Sequence, residues 1–109
     1  MLRPGDVVVG AFPGTLLTKT RPAVVLSSEI YHQHRPDVVV GLITTRTPMP
    51  ETPTDCGLQD WKQAGLHAAS YFRLFPVTFL QDQVRLIGRL SPSDWKSVRG
   101  CFQIGFGID

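Results

Sequence analysis

The 109-residue chain has few cysteines, almost no excess of one charge sign and no long hydrophobic run. No uninterrupted apolar stretch is long enough to cross a bilayer, and residues 1–5 lead into a strand pattern without an apolar signal region. These absences predict a cytoplasmic protein that makes no contact with membranes. The net charge is only +2, so any affinity for a polyanion depends on where the cations lie.

The cysteines and histidines do not form a convincing metal-binding or redox motif. Cys56 and Cys101 are far apart in sequence, so we expect two reduced thiols, although a disulfide remains an alternative. His32 and His34 are two residues apart on a predicted helical turn, where they point to different sides, so we interpret them as surface histidines. His67 is interpreted as a structural residue at the start of a strand. We therefore expect no metal and no cofactor.

Hydrophobic residues make up 42% of the chain and charged residues 18%, which is the balance of a folded protein rather than a disordered one. The length is that of one domain, so residues 1–109 are expected to share a single core. Trp61 and Trp95 are assigned to packing in that core.

Short apolar runs bounded by proline and glycine predict a mainly β fold. Proline-rich residues 48–53 predict a loop followed by a short edge strand, and residues 58–65 a helical turn closed by Gly65. A run of apolar residues at 37–45 indicates a central strand that is buried on both faces. The other predicted strands are 6–12, 22–27, 68–75 and 84–88, with a mobile loop at 13–20 and a turn at 81–83.

Capping signals predict two helices. Ser27 or Ser28 can cap a short helix that must end near Arg35, because the next residue is proline. Ser91 followed by Pro92 predicts the start of a C-terminal helix that buries one face against the sheet. The expected architecture is an SH3-like small β-barrel of five to seven strands, with a short inter-strand helix and a C-terminal helix.

Four segments of the sequence form a recognisable series: residues 4–9 with 12–13, then 21–27, 38–44 and 87–95. In this order they resemble the PemK/MazF family of toxin endoribonucleases. One segment alone would be weak evidence, whereas four at matching spacing are fairly specific, and residues 48–66 match least well.

The resemblance implies a toxin that forms a homodimer and is inhibited by a cognate antitoxin protein. It further implies metal-independent, sequence-specific cleavage of single-stranded RNA, in which the neighbouring 2′-hydroxyl attacks the phosphate and a cyclic phosphate forms. Fold alone does not establish such an activity, because small barrels support many functions. The evidence must therefore come from the site residues.

The family's catalytic arginine and threonine match Arg21 and Thr44. A guanidinium can hold two phosphate oxygens at once, and Pro22 restricts the arginine backbone to extended conformations. Thr44 would donate a hydrogen bond to the scissile phosphate, either to orient it or to assist the attacking hydroxyl. Without the family pattern, Arg21 reads as an ordinary solvated residue and Thr44 as a good β former.

Other cations and hydroxyls are candidates for RNA binding. Tyr71 or Phe72 is a further candidate for stacking on a base, although aromatic residues at such positions are more often in the core. The predicted RNA-binding residues are Thr18, Lys19, Thr20, Arg46 and Arg73.

The general acid and base are not assigned by the sequence. Some relatives have a histidine or glutamate between the first two strands, and residues 13–20 have neither. Other relatives have an acidic residue two positions after an arginine, and in this chain Phe75 occupies that position after Arg73. Two alternatives therefore stay open: a non-catalytic SH3-like module that binds nucleic acid or peptide, and a topoisomerase poison of similar fold.

Overall fold

The computed structural model describes residues 1–13, 17–47 and 51–108. Within them the chain forms six strands, two α-helices and a one-turn 3-10 helix at Gln81–Gln83. The elements in chain order are β1 (Asp6–Phe12), β2 (Lys19–Val25), α1 (Glu29–His34), β3 (Asp37–Thr44), β4 (Asp55–Gly57), β5 (Tyr71–Leu80), β6 (Arg85–Arg89) and α2 (Pro92–Phe106).

The strands form one antiparallel sheet in the order β4-β5-β3-β2-β1-β6. The predicted mainly β fold class, with a short inter-strand helix and a C-terminal helix, is confirmed. The predicted barrel is not closed, because β4 and β6 are the two edges of the sheet and are not paired with each other. Both are short, with three and five residues, which leaves little backbone for a closing ladder.

Hydrophobic side chains alternate between two clusters, one on each face of the sheet. Strand β3 contributes to both, which confirms the prediction that it is buried on both sides. Trp61 and Trp95 pack against the first cluster, as expected. The first cluster includes Val7, Val24, Ile43, Phe72 and Val98, and the second consists of Val8, Phe12, Ala23, Val25, Val38 and Val40.

Helix α2 begins where the sequence predicts. The Ser91 hydroxyl accepts a hydrogen bond from the Asp94 backbone N–H at 3.1 Å, and Pro92 occupies the first turn. Asp94 itself is 1% exposed, and its two carboxylate oxygens accept hydrogen bonds from the backbone N–H groups of Gln59 and Asp60 at 2.9 and 2.8 Å. This buried carboxylate therefore ties the 59–60 turn to the helix.

Two strands differ in length from their predictions. Strand β2 begins at Lys19 rather than Pro22, so residues 19–20 are paired with β1 and the predicted mobile loop is wrong there. Residues 14–16 of that loop lie outside the described residues. Strand β5 begins at Tyr71 and continues to Leu80, beyond the predicted end, because a register shift opposite Gly41 and Leu42 accommodates the proline within it.

The structure confirms one of the two surface-histidine interpretations and contradicts the other. His34 is exposed, as predicted. His32 is buried instead, because its ring nitrogens hydrogen-bond the Ser27 hydroxyl at 2.6 Å and the Leu2 carbonyl at 2.8 Å. His32 thus connects α1 to the N-terminal segment.

Neither helix in the described part of the chain is long and apolar enough to cross a membrane.

Gly88 lies where β6 passes the 64–65 backbone. A Cβ added there would be 2.1 Å from the Ala64 carbonyl oxygen and 2.6 Å from its carbon, so the backbone would have to move. We expect Gly88→Ala to lower the free energy of unfolding by about 2 kcal/mol, measured by urea denaturation. Gly100→Ala is the control, since its Cβ would meet nothing within 4 Å; equal destabilisation by both variants would contradict the steric explanation.

Candidate functional site

Strands β2 and β3 separate at one end of the sheet. Their ladder runs from the Val25–Val40 pair to the Ala23–Leu42 pair and stops there, although both strands continue. Pro22, the next residue on β2, has no backbone N–H to contribute to a ladder. A fork therefore opens between two central strands.

Arg21 and Thr44 lie on the two sides of this fork. Arg21 is held by β1, where it pairs with Gly10, and Thr44 is held by β5, where it pairs with Tyr71. Continuing the β2–β3 register past the last pair would place these two residues opposite each other, and both line the same open groove of about 590 Å³. The two predicted catalytic residues are thus on one surface, and both are only half-buried.

The Thr44 hydroxyl has a defined hydrogen-bond role in this groove. Its Oγ1 accepts a hydrogen bond from the Arg46 backbone N–H at 3.1 Å. Since one lone pair is used in this way, the hydroxyl hydrogen remains available to be donated to a ligand oxygen. This arrangement suits an anionic ligand held between Thr44 and Arg21.

The groove is strongly basic. Four cationic side chains line it, and no carboxylate is among its described lining residues. The ion pairs found within residues 1–13, 17–47 and 51–108 involve other arginines, Arg35 with Asp37 and Arg89 with Asp6. The positive charge of the groove is therefore not neutralised by these acids. The four cations are Lys19, Arg21, Arg46 and Arg73.

The structure does not bring all the candidate residues into the groove. Thr18 and Thr20 are exposed but are not among the groove's lining residues, and Thr20 points opposite to its neighbours because side chains alternate along β2. Phe72 is fully buried in the core, so the stacking role considered for it is wrong. Tyr71 is half-buried and lines a separate cavity.

Two groove residues were missed by the sequence interpretation. Phe75, which occupies the place of the family's acid, is 57% exposed and lines the groove, where its ring is available for stacking. Ser70 is buried and also lines the groove, while its hydroxyl donates a hydrogen bond to the Ala68 carbonyl at 2.8 Å. An aromatic residue in a strand gives no sequence signal for such exposure, because it resembles a core residue.

A second groove of about 350 Å³ adjoins the first. Pro22, Thr45 and Ser70 line both grooves, so the two meet at the fork. The second groove is mostly apolar, and its charged or titratable residues are His67 and Arg85. His67 is exposed at this groove rather than packed as a structural residue, which corrects the sequence interpretation.

A family model for PemK-like, MazF-like toxins of type II toxin–antitoxin systems matches residues 3–106. The chain belongs to this family. The resemblance inferred from four sequence segments is thereby confirmed. A search of curated proteins found no match.

Solved structures agree with the MazF-like fold. An endoribonuclease from a mycobacterial species, in complex with its cognate antitoxin, has a TM-score of 0.80 and 18% identity, over 100% of this chain and 98% of its own. The Mycobacterium tuberculosis toxin MazF-mt6 has a TM-score of 0.77 and 22% identity, over 95% and 98% of the two chains. A MazE–MazF structure from Deinococcus radiodurans has a TM-score of 0.77 and 16% identity, over 99% and 98%.

In this PemK-like chain a third cavity, of about 460 Å³, lies beside the edge strand β4 and its neighbour β5. It includes Tyr71, whose hydroxyl accepts a hydrogen bond from Thr47 at 3.3 Å, and the carboxylates of Glu51 and Asp55. Its charge is therefore opposite to that of the basic groove. Cys56 also lines this cavity and packs against the core beside Cys101; both are free thiols.

The Cys56 thiol is expected to react slowly despite lining a cavity. Burial, and next the neighbouring Cys101, raises the pKa of Cys56 to about 12 from an ordinary value of 9.0. The protonated thiol is thus favoured in the folded protein, and roughly one molecule in ten thousand carries the reactive thiolate at pH 8. Iodoacetamide should label Cys56 at least about a hundredfold more slowly in the native than in the urea-unfolded protein, with the rate rising towards pH 12.

Mass spectrometry of peptides after timed labelling would measure this rate. Cys101, whose pKa is also raised by burial, should follow the same pattern. Equal labelling of native and unfolded protein at pH 8 would contradict the protection we describe.

Proposed function

We propose that this chain is a metal-independent, sequence-specific endoribonuclease that cleaves single-stranded RNA. The observation that carries the proposal is the position of Arg21 and Thr44 on the two sides of one basic groove. Membership of a toxin family supports it, as does the similarity to a mycobacterial endoribonuclease. The proposed place of action is the cytoplasm.

The reaction proposed is attack of a 2′-oxygen on the adjacent phosphorus. The bond from phosphorus to the 5′-oxygen breaks, which leaves a 2′,3′-cyclic phosphate on one product and a 5′-hydroxyl on the other. Arg21 would hold two oxygens of the phosphate as negative charge builds up, and Thr44 would donate its hydroxyl hydrogen to the same group. One charged hydrogen-bond donor at such a position contributes about 4 kcal/mol to stabilising the transition state.

The remaining groove residues suit the flanking nucleotides. Lys19, Arg46 and Arg73 would bind phosphates on either side of the scissile one, and Phe75 would stack on a base. Thr18 and Thr20, exposed beside the groove, stay predicted RNA contacts. A single strand suits this surface better than a duplex, because unstacked bases can reach an aromatic ring.

We further propose that the chain acts as a homodimer and is inhibited by a cognate antitoxin. The mycobacterial endoribonuclease with a similar fold is itself in complex with its cognate antitoxin, and the D. radiodurans MazF with MazE. Light scattering on the purified chain would give its mass in solution, and a monomer at micromolar concentration would contradict the dimer.

Digestion of a mixed-sequence single-stranded RNA in the presence of EDTA tests the proposed activity. We expect cuts at a short sequence motif, with cyclic phosphate and 5′-hydroxyl ends. Loss of cleavage on chelation, or 5′-phosphate ends, would contradict the mechanism. RNA binding without cleavage would instead indicate a binding module, and inhibition of gyrase supercoiling without RNA cleavage would indicate a topoisomerase poison.

A further inference from the structure

The cleavage proposed above requires two proton transfers, and the basic groove has no obvious residue for either. One proton must leave the attacking 2′-hydroxyl, and one must reach the departing 5′-oxygen. The described residues that line the groove offer hydroxyls, a lysine and arginines, but no histidine and no carboxylate. Arginine stays protonated in proteins, so it is a poor carrier of either proton.

The second groove supplies the missing type of side chain. Three residues line both grooves: Pro22, Thr45 and Ser70. Pro22 directly follows Arg21 and Thr45 directly follows Thr44, so the boundary between the grooves is adjacent in sequence to both catalytic candidates. A nucleotide bound at the fork would therefore contact both grooves.

His67 is exposed in the second groove and sits on a segment that is fixed at both ends. Before it, the buried Leu66 donates its backbone N–H to the Trp61 carbonyl at 3.1 Å. After it, the Ser70 hydroxyl donates to the Ala68 carbonyl at 2.8 Å. The backbone around His67 is thus held while its ring remains accessible, which is what a residue that acts on a ligand needs.

We propose that His67 carries one of the two protons in RNA cleavage, an inference that rests on the proposed nuclease function. As a base it would take the 2′-hydroxyl proton while the 2′-oxygen bonds to phosphorus, and water would protonate the departing 5′-oxygen. As an acid it would give a proton to the 5′-oxygen while the bond to phosphorus breaks, and the 2′-hydroxyl proton would pass to water. In either case exchange with water restores the ring. Histidine is the side chain most often used for such transfers.

The charged groups among the described residues that line the two grooves are all cationic, apart from His67 itself. Arg85 of β6 shares its groove, and Arg21 and Lys19 of β2, Arg46 after β3 and Arg73 of β5 line the adjoining one. No carboxylate is among the described residues that line either groove. The imidazole is therefore the side chain on these described surfaces whose ring nitrogens can either accept or donate a proton during the reaction.

His67→Ala, compared with His34→Ala, tests the proposal. His34 is an exposed histidine on α1 that lines neither groove, so its replacement should leave cleavage unchanged. We expect His67→Ala to reduce the cleavage rate about a hundredfold, with an unchanged melting temperature. Its rate should also lose one limb of the wild-type pH profile, and added imidazole should restore part of the activity.

Three outcomes would overturn the proposal. In the first, His67→Ala cleaves as fast as wild type while Arg21→Ala does not cleave, which leaves the nuclease function standing. In the second, His67→Ala is slower but keeps the wild-type pH profile and does not respond to imidazole, which indicates RNA positioning only. In the third, the wild-type protein cleaves no RNA, so that the proposed function fails together with this inference.

A substrate with sulfur in place of the 5′-bridging oxygen shows which of the two protons His67 transfers. A thiolate leaves without protonation, so this substrate should restore the His67→Ala rate if His67 is the acid and should not if it is the base. Either result supports proton transfer by His67, provided that the loss on ordinary RNA and the imidazole response are both observed.

Discussion

Arg21→Ala is expected to reduce RNA cleavage about a thousandfold without unfolding the protein. The guanidinium is half-buried in a groove with no described acid to pair with, so its removal costs little stability. The loss should fall on the rate of the chemical step, because the charge is needed most when the phosphate is crowded and doubly charged. Single-turnover cleavage of a labelled RNA by wild-type and variant protein measures this directly.

Two further variants serve as controls for Arg21→Ala: the conservative change Arg21→Lys, and Arg99→Ala outside the grooves. Lysine keeps the charge but not the planar fork, so we expect it to recover only a small part of the activity. Arg99 is exposed on α2 and lines neither groove, so its replacement should change the rate little. If Arg21→Ala retains the wild-type rate, Arg21 has no part in catalysis and the proposed mechanism is wrong.

Asp94→Asn is expected to lower the free energy of unfolding by about 3 kcal/mol and the melting temperature by more than about 10 °C. The carboxylate is almost completely buried and accepts two backbone hydrogen bonds, one at each oxygen. An asparagine would present an N–H₂ group to one of those backbone donors, which leaves a buried N–H without an acceptor.

Chemical denaturation monitored by circular dichroism provides the measurement for Asp94→Asn. Asp82→Asn is the matched control, since Asp82 is exposed in the 3-10 helix. Coincident unfolding midpoints for the two variants would show that the buried bonds add no net stability. Asp94→Asn should also disturb the candidate functional site, because Asp94 holds the 59–60 turn that leads to the segment with His67 and Ser70.

Local patterns were sufficient to predict most of the fold. Three elements are determined by residues that are close together in sequence, so their positions could be predicted from it. They are β1 with its β-branched run, β3 with its apolar run and α2 with its capping serine. The start of β2 could not, because Lys19 and Thr20 are exposed strand residues that owe their conformation to pairing with β1. The absence of barrel closure likewise depends on which strands become edges, and that is a property of the whole chain.

The candidate site was only partly predictable for a similar reason. Arg21 and Thr44 were proposed from a family pattern, and the structure places both in one groove. His32 was misjudged because its burial depends on Leu2, thirty residues away in sequence. The exposure of Phe75 and the position of His67 depend on how β5 and the preceding loop meet the fork, which residue type alone does not encode.

The fork between β2 and β3 separates what holds this molecule together from what it does. Paired backbone from Ala23 to Val25 and buried valines maintain the architecture, while the side chains beyond the last pair make no contribution to that ladder. In the proposed nuclease, substitutions of the accessible side chains beyond that pair, such as Arg21, Thr44 and Arg46, would therefore change RNA selection or cleavage rate without a matching loss of stability. The opening is thus a place where the sequence can vary while the architecture stays the same.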